Sequence, residues 1–372
     1  MKDYYTVLGV PKAVNAAGTL TLFGGCRVWP EAAEAMSQAA QSFVDLELLH
    51  RKAGEFVAQL LHVEAALVTA GASPALVQST AACIACMDPY LRNRLPSNPP
   101  ERNEVIIQRI HRNPYDNAIP TAGAKFIEIG DAIKTHPWEL DNSINERTAA
   151  VMYALQAEMM DASLSLDTTL EIAHARNVPV IVDAAAELPP KSNLWTLSQR
   201  GADLVVFSGG KDIRGPQTSG LLVGRKDLVQ AADFNGAPHY GVGRPMKASK
   251  ELVVGFIAAL ECYLAEDENA RFLFWQKTQV EMLEELNTIP YLSAQPFVPT
   301  QMGIHPINIP KIKMDIDSTA PISIDALAVA LLHGSPSIIV NRWRESIILN
   351  MQTFIPGEPE IVISKLREIL SG

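Results

Sequence analysis

The stretch from Val178 to Lys211, VPVIVDAAAELPPKSNLWTLSQRGADLVVFSGGK, constrains the fold more than any other part of the chain. Val180 to Val182 is a short apolar, β-branched run that stops at Asp183. Leu204 to Phe207 is a second such run, stopping at Ser208-Gly209-Gly210-Lys211. The residues between have the length of one crossover joining parallel strands, with Trp195 to Arg200 suited to its helix. This pattern predicts an open, mostly parallel α/β sheet in which Asp183 and Lys211 stand where two adjacent buried strands run out. Ligands of such sheets collect beyond the carboxyl ends of the strands, so both charges face one crevice.

A carboxylate and a lysine converging in this way suit pyridoxal 5'-phosphate. That cofactor needs a carboxylate to keep its ring nitrogen protonated and a lysine to form a Schiff base. Each residue alone has an ordinary alternative. An Asp at a strand end is often a turn residue or helix cap, and a lysine after Ser-Gly-Gly is often a solvated loop residue. A third element favours the chemical reading. Ala65 to Thr69 reads as an apolar lead-in, Gly71-Ala72-Ser73 as a tight turn, and Pro74 to Ile84 as a helix with proline in its first turn. The unpaired N–H groups at such a helix start bind phosphate, although many helices start this way with no ligand. Ser208 is a candidate second donor.

His111 follows the strand-like run Glu104 to Ile110, and Asn113-Pro114 marks a turn just after it, which places it at another strand end facing the same crevice. There it would stack on a cofactor ring or move a proton; the alternative is a hydrogen-bonded loop histidine. Arg109, Arg112 and Tyr115 crowd the same turn as candidate binders of anionic substrate groups.

These residues carry a resemblance. NAAGTLTLFGG (Asn15 to Gly25), EAALVTAGASPAL (Glu64 to Leu76), NEVIIQRIHRNPYDNA (Asn103 to Ala118), VPVIVDAAAELPP (Val178 to Pro190), VVFSGGKDIRGPQTSGLLVGRKDL (Val205 to Leu228) and GVGRPMKASKE (Gly241 to Glu251) resemble the selenocysteine synthase-like family of fold-type I pyridoxal phosphate enzymes. The similarity is greatest to its shorter members like D-glucosaminate-6-phosphate ammonia-lyase. The resemblance implies a large domain with a mostly parallel seven-stranded sheet plus a small C-terminal α+β domain. It also implies Lys211 as Schiff-base lysine, Asp183 as partner of the pyridine nitrogen, Gly71, Ala72 and Ser73 as phosphate cup, and His111 as ring-stacking group. At least a homodimer is implied, with the Asn15 to Gly25 arm reaching across or covering the site.

A chain of 372 residues, 48% hydrophobic and only 19% charged, is too long for one ordinary core and suits a well-buried globular protein. The expected division is an N-terminal arm (1–40), a large α/β domain (41–255) and a small α+β domain (256–372). In the last, Glu266 to Leu286, Ser323 to Leu332 and Pro359 to Leu370 read as helices. Ile304 to Ile309, Ile338 to Val340 and Ile347 to Leu349 read as strands. Arg342 and Arg344 are candidates for binding a substrate carboxylate, since guanidinium pairs with it through two hydrogen bonds; exposed strand charges are the alternative. Relatives tend to carry an acidic residue, a spacer and an arginine where this chain has Asn350-Met351-Gln352, a departure that implies a different acid or a different way of binding it.

The net charge of −10 disfavours a nucleic-acid partner, because phosphate backbones are held mainly by clustered lysine and arginine. The trio Arg244, Lys247 and Lys250 is a local basic group, suited to a phosphate or to a solvated helix start. Cys83 and Cys86 have CxxC spacing without a second pair, so they read as buried helical thiols, no metal is assigned, and a reduced cytoplasm is the expected home. No apolar run approaches membrane-spanning length, so no membrane partner is expected.

The expected substrate is a small amino acid. The leading reaction is α,β-elimination from a 2-amino-3-hydroxy acid, such as D-glucosaminate or its 6-phosphate, giving a 2-oxo acid and ammonia. Alternatives are β-replacement, aldol-type cleavage or racemisation of a related acid, and a catalytically silent binding or structural subunit.

Overall fold

A computed structural model describes residues 2–155, 161–298, 306 and 308–371. The described residues form two compact units, one of residues 28–266 with Pro306 and the other of residues 2–27, 267–298 and 308–371.

The first unit is organised by seven strands: β1 (Ala65–Thr69), β2 (Glu104–Gln108), β3 (Lys125–Ile129), β4 (Thr148–Ala154), β5 (Val180–Asp183), β6 (Leu204–Ser208) and β7 (Gly220–Gly224). Their order across the sheet is β1-β7-β6-β5-β4-β2-β3. Only β7 runs antiparallel to its neighbours, β1 and β6. All other pairings are parallel. Every residue of β2, β4 and β7 is buried, which explains their nearly continuous apolar composition: helices cover both faces.

Side-chain alternation divides the strands between two cores. Val180, Val182, Val205 and Phe207 join one, while Ile181, Leu204 and Val206 join the other with Leu76 and Ile84 of the helix Ala72–Ala85. That helix is buried at every position from Ala75 to Ala85, so it is fixed along its length and its N-terminus cannot wander.

The unit ends beyond residue 255. The helix Lys250–Ala265 is continuous and packs along the helix Pro30–Ala40, where Met36 lies against Gly255, so it stays with the large sheet and the division falls after Glu266. For the same reason residues 28–40 belong to this unit, and of the N-terminal segment only the residues before Val28 join the other one.

The second unit contains a four-stranded antiparallel sheet in which Leu292–Pro296, Lys311–Ile316, Ser346–Asn350 and Asn341–Trp343 lie side by side. The helices Glu268–Leu286, Ile324–His333 and Glu358–Ser371 close its core. Asp267 and Ser323 cap the first two through side-chain acceptors. Residues 304, 305 and 307 of the strand expected at 304–309 lie outside the described residues. Asn308, Ile309 and Pro310 are not in a strand, and the paired segment begins at Lys311. Ala13–Asn15, within the sequence arm, pairs in parallel with Ser337–Ile339 of this unit.

Candidate active site

Asp183 and Lys211 are brought together by the β5/β6 pairing. Asp183, the last residue of β5, stands opposite Val206, two residues before β6 ends. Its Oδ1 accepts the Ala185 N–H at 3.0 Å, which turns the chain at the strand end. The loop after β6 is tied at its base, Gly209 N–H donating to Ser219 O (2.9 Å) and Gly215 N–H to Gly209 O (2.8 Å). A Cβ on Gly209 would fall 2.7 Å from Phe256 Cδ2, and one on Gly210 would overlap the main chain of Gln217, so neither tolerates a side chain. Burial pulls the Lys211 amine below its ordinary pKa, and the negative charges of Asp183 and Glu187 oppose that pull more weakly. Glu187 is itself buried in the same strand-end loop as Asp183. It was not singled out from the sequence, although a carboxylate four residues past a strand-end Asp was a visible signal.

The helix Ala72–Ala85 begins beside this loop. Gly71 is its N-cap, with φ 122° and no side-chain hydrogen bond closing the end. Pro74 carries no N–H, so the donors of the first turn are those of Ala72 and Ser73, beside Gly71 itself. The return arm of the lysine loop forms the adjacent wall. A Cβ on Gly220 would overlap the main chain of Gly71, and one on Gly71 would lie 3.6 Å from Thr218 O. Ser208 sits at the end of β6 opposite Gly220. The strand expected through Ile110 stops at Gln108, and Arg109–His111 forms a turn of 3-10 helix.

That turn carries His111 into the interior at 1% exposure. Its ring meets Tyr153 of β4 edge-on, with centroids 4.6 Å apart, and burial lowers its pKa to about 4. Tyr153 stands opposite Val182, the neighbour of Asp183, so β4 links the histidine to the β5 end. Among the described residues His111 Nδ1 has no hydrogen-bond partner, nor has Nε2 of buried Gln108, whose Oε1 accepts the Leu164 N–H at 2.7 Å.

Arg109, Arg112 and Arg342 each have an ion-pair partner. Arg109 is exposed and pairs with Glu128 at 3.4 Å. Arg112 pairs with Glu128 and Asp116. Arg342 and Arg344 lie in the second unit, on the hairpin joining Asn341–Trp343 to Ser346–Asn350. There Arg342 donates to Ser346 O and Arg344 O (both 2.9 Å) and pairs with Asp325 at 2.7 Å, while Arg344 sits in the turn with φ 53°.

The sequence pattern of the L-seryl-tRNA selenium transferase family (SelA) matches residues 14–288, about three quarters of the chain. The chain belongs to this family. Among the family's relatives, the D-glucosaminate-6-phosphate ammonia lyase of Salmonella typhimurium is 36% identical over 266 residues, 70% of each chain. The 5'-C-glycyluridine monooxygenase-decarboxylase of a Streptomyces species is 32% identical over 98% of this chain and 92% of its own. A solved structure of D-glucosaminate-6-phosphate ammonia-lyase superposes with a TM-score of 0.85 at 29% identity, covering 100% of this chain and 99% of that one. This SelA-family chain is thus a fold-type I, pyridoxal phosphate-dependent enzyme.

The residues present fit that cofactor. A half-buried amine whose pKa is lowered by desolvation lies near two carboxylates, a helix start offers N–H groups behind a wall of glycine main chain, and among the described residues a buried imidazole nitrogen lacks a partner. A separate cavity of about 880 Å³ lies between the helix Leu46–Leu61, β1 and the helix Lys226–Phe234; His50, Asp233 and His239 line it, and none of the residues above does. Among the described residues no group of His, Cys, Asp and Glu could hold a metal ion. Cys83 is buried, but Cys86 is exposed: the helix ends there, and its φ of 49° turns the chain outward, so the two are not a buried pair. No described helix is long and apolar enough to cross a membrane.

Proposed function

We propose that the protein is a lyase that eliminates the β-hydroxyl of a 2-amino-3-hydroxy acid, the products after hydrolysis being a 2-oxo acid and ammonia. A sugar-derived acid such as D-glucosaminate or its 6-phosphate is the proposed substrate class. The observation that most supports this is the full-length likeness to the ammonia-lyase structure, with half-buried Lys211 near Asp183 and Glu187 at the ends of adjacent strands. Bound pyridoxal phosphate supplies an electron sink that makes the proton on the amine-bearing carbon acidic.

In this reading the N–H groups of Gly71, Ala72 and Ser73, with Ser208, would hold the phosphate, and His111 would face the ring. The Asp183 carboxylate would keep the ring nitrogen protonated. Lys211 would hold the cofactor at rest and would afterwards take the proton from the substrate carbon. An ordinary lysine, with pKa near 10.4, is a poor base at neutral pH, and burial of this one moves it in the needed direction. The elimination balances: R–CHOH–CH(NH2)–COOH becomes R–CH2–CO–COOH and NH3, the water lost in elimination being regained in hydrolysis.

The second relative, which aligns with 98% of the chain, favours a different reading, oxygen-dependent decarboxylation of an amino acid. One assay separates the two. The purified enzyme is incubated with D-glucosaminate, its 6-phosphate and a panel of D- and L-3-hydroxyamino acids while ammonia, oxo acid, carbon dioxide and dissolved oxygen are followed. Ammonia and oxo acid in equal amounts without oxygen uptake support elimination. Oxygen uptake with carbon dioxide release would replace it by the second reading, and turnover of none of these compounds would defeat the proposed substrate class.

A further inference from the structure

Asp212 follows Lys211 directly and is 3% exposed. Tyr263, on the helix Lys250–Ala265, is fully buried, and its hydroxyl donates to Asp212 Oδ2 at 2.7 Å. A buried polar pair of this kind adds little over a well-packed apolar pair in stability, but it admits one geometry where apolar contacts admit several.

Main-chain bonds secure the rest of the lysine loop. Gly209 and Gly215 tie its base, Arg214 N–H donates to Lys211 O at 3.0 Å, and Trp29 bonds to Ile213 O and Arg214 O. Asp212 adds a side-chain tie next to the lysine. The tyrosine also touches the neighbouring loop: the Lys191 ammonium lies 5.3 Å from its ring centroid and donates to Leu264 O and Glu266 O at the end of the same helix. Lys191 belongs to the loop that follows Asp183 at the end of β5 and carries Glu187. Tyr263 therefore joins the loop bearing Glu187 to the loop bearing the amine.

We propose that Asp212 and Tyr263 are a positioning pair for Lys211, holding the main chain on its C-terminal side so that the amine stays near Asp183 and Glu187. The pair acts through Lys211 and touches neither substrate nor cofactor; its catalytic meaning rests on the reading of Lys211 given above.

The test uses the full chain freed of cofactor. Lysines are labelled competitively with acetic anhydride across a pH series, and Lys211 acetylation is read by mass spectrometry. Tyr263→Phe removes only the hydroxyl and leaves the ring against Lys191. Asp212→Leu removes the acceptor, and Asp212→Asn keeps an oxygen to accept the bond. In Tyr263→Phe and Asp212→Leu the Lys211 labelling midpoint should rise by at least about one pH unit toward that of an ordinary lysine. In Asp212→Asn it should not rise. In the loaded protein, the pH at which the lysine-linked cofactor changes absorption should move in Tyr263→Phe and Asp212→Leu but not in Asp212→Asn.

A purely structural role would lower the melting temperature and leave the midpoint unchanged; that result in Tyr263→Phe overturns the proposal. Tyr263→Phe remains decisive if Asp212→Leu does not fold. The labelling reports on Lys211 without cofactor, so loss of the Schiff-base assignment through Lys211→Ala is a separate outcome.

Discussion

Gly220 packs against Gly71: a Cβ added to Gly220 would overlap the carbonyl group of Gly71 and lie 2.7 Å from Thr69 Oγ1. The strand that leaves the lysine loop thus forms the wall of the helix start where the phosphate is proposed to bind. Gly220→Ala should push the two main chains apart, at a cost of about 1–3 kcal/mol in stability. It should also weaken cofactor retention on dialysis. A lower melting temperature with undiminished retention would separate the wall from the phosphate site.

Lys211→Ala should fold, because the loop is held by its own main-chain bonds and by Asp212, and the lysine side chain makes no part of either hydrophobic core. Its visible spectrum should lack the band of lysine-linked cofactor, and borohydride should fix no cofactor to the chain. A variant that keeps the band would move the linkage to another lysine.

Asp183→Asn can still accept the Ala185 N–H through its amide oxygen, so the strand end should keep its shape. Loss of the charge should leave cofactor bound but reduce kcat by roughly 10²–10⁴-fold, the range for removing one positioned proton-handling group. Because the Asp183 charge raises the Lys211 pKa, the lysine titration should also move lower in this variant. Full activity would mean that the ring nitrogen is not controlled there.

His111 gives the fold a pH dependence of defined sign. Its folded pKa is about 4, below the ordinary 6.5, because burial opposes the charged form. Between those values the unfolded chain binds the extra proton, so stability rises with pH across the window and is lost on acidification, by about 3 kcal/mol in all. Urea unfolding of cofactor-free protein from pH 4 to 7 should show a shallower slope in His111→Phe, which keeps a ring beside Tyr153. An unchanged slope would place the histidine's titration in its usual range.

The placement of Asp183 and Lys211 at strand ends and of Gly71 to Ser73 at a helix start was legible in the sequence because such ends are local events. A β-branched run, a polar stop, glycines and a first-turn proline specify backbone conformation from a few neighbours. The two-unit plan was legible at the same level, from periodicity and length. Those patterns do not say which distant segments meet. The antiparallel insertion of β7 between β1 and β6, the engagement of Arg342 by Asp325 and the exposure of Cys86 depend on where whole elements pack.

Tyr263 illustrates that limit most plainly. It lies on a helix far along the chain from Asp212, and its apolar neighbours give it the pattern of any buried aromatic residue. Its hydroxyl meets a carboxylate because the helix Lys250–Ala265 packs on the large sheet. The sequence by itself determined which chemical groups stand at the strand ends, since local backbone preferences and side-chain alternation suffice for that. Only the tertiary structure decided which groups surround and hold them, because that choice follows from burial summed over a core assembled from segments remote in the chain.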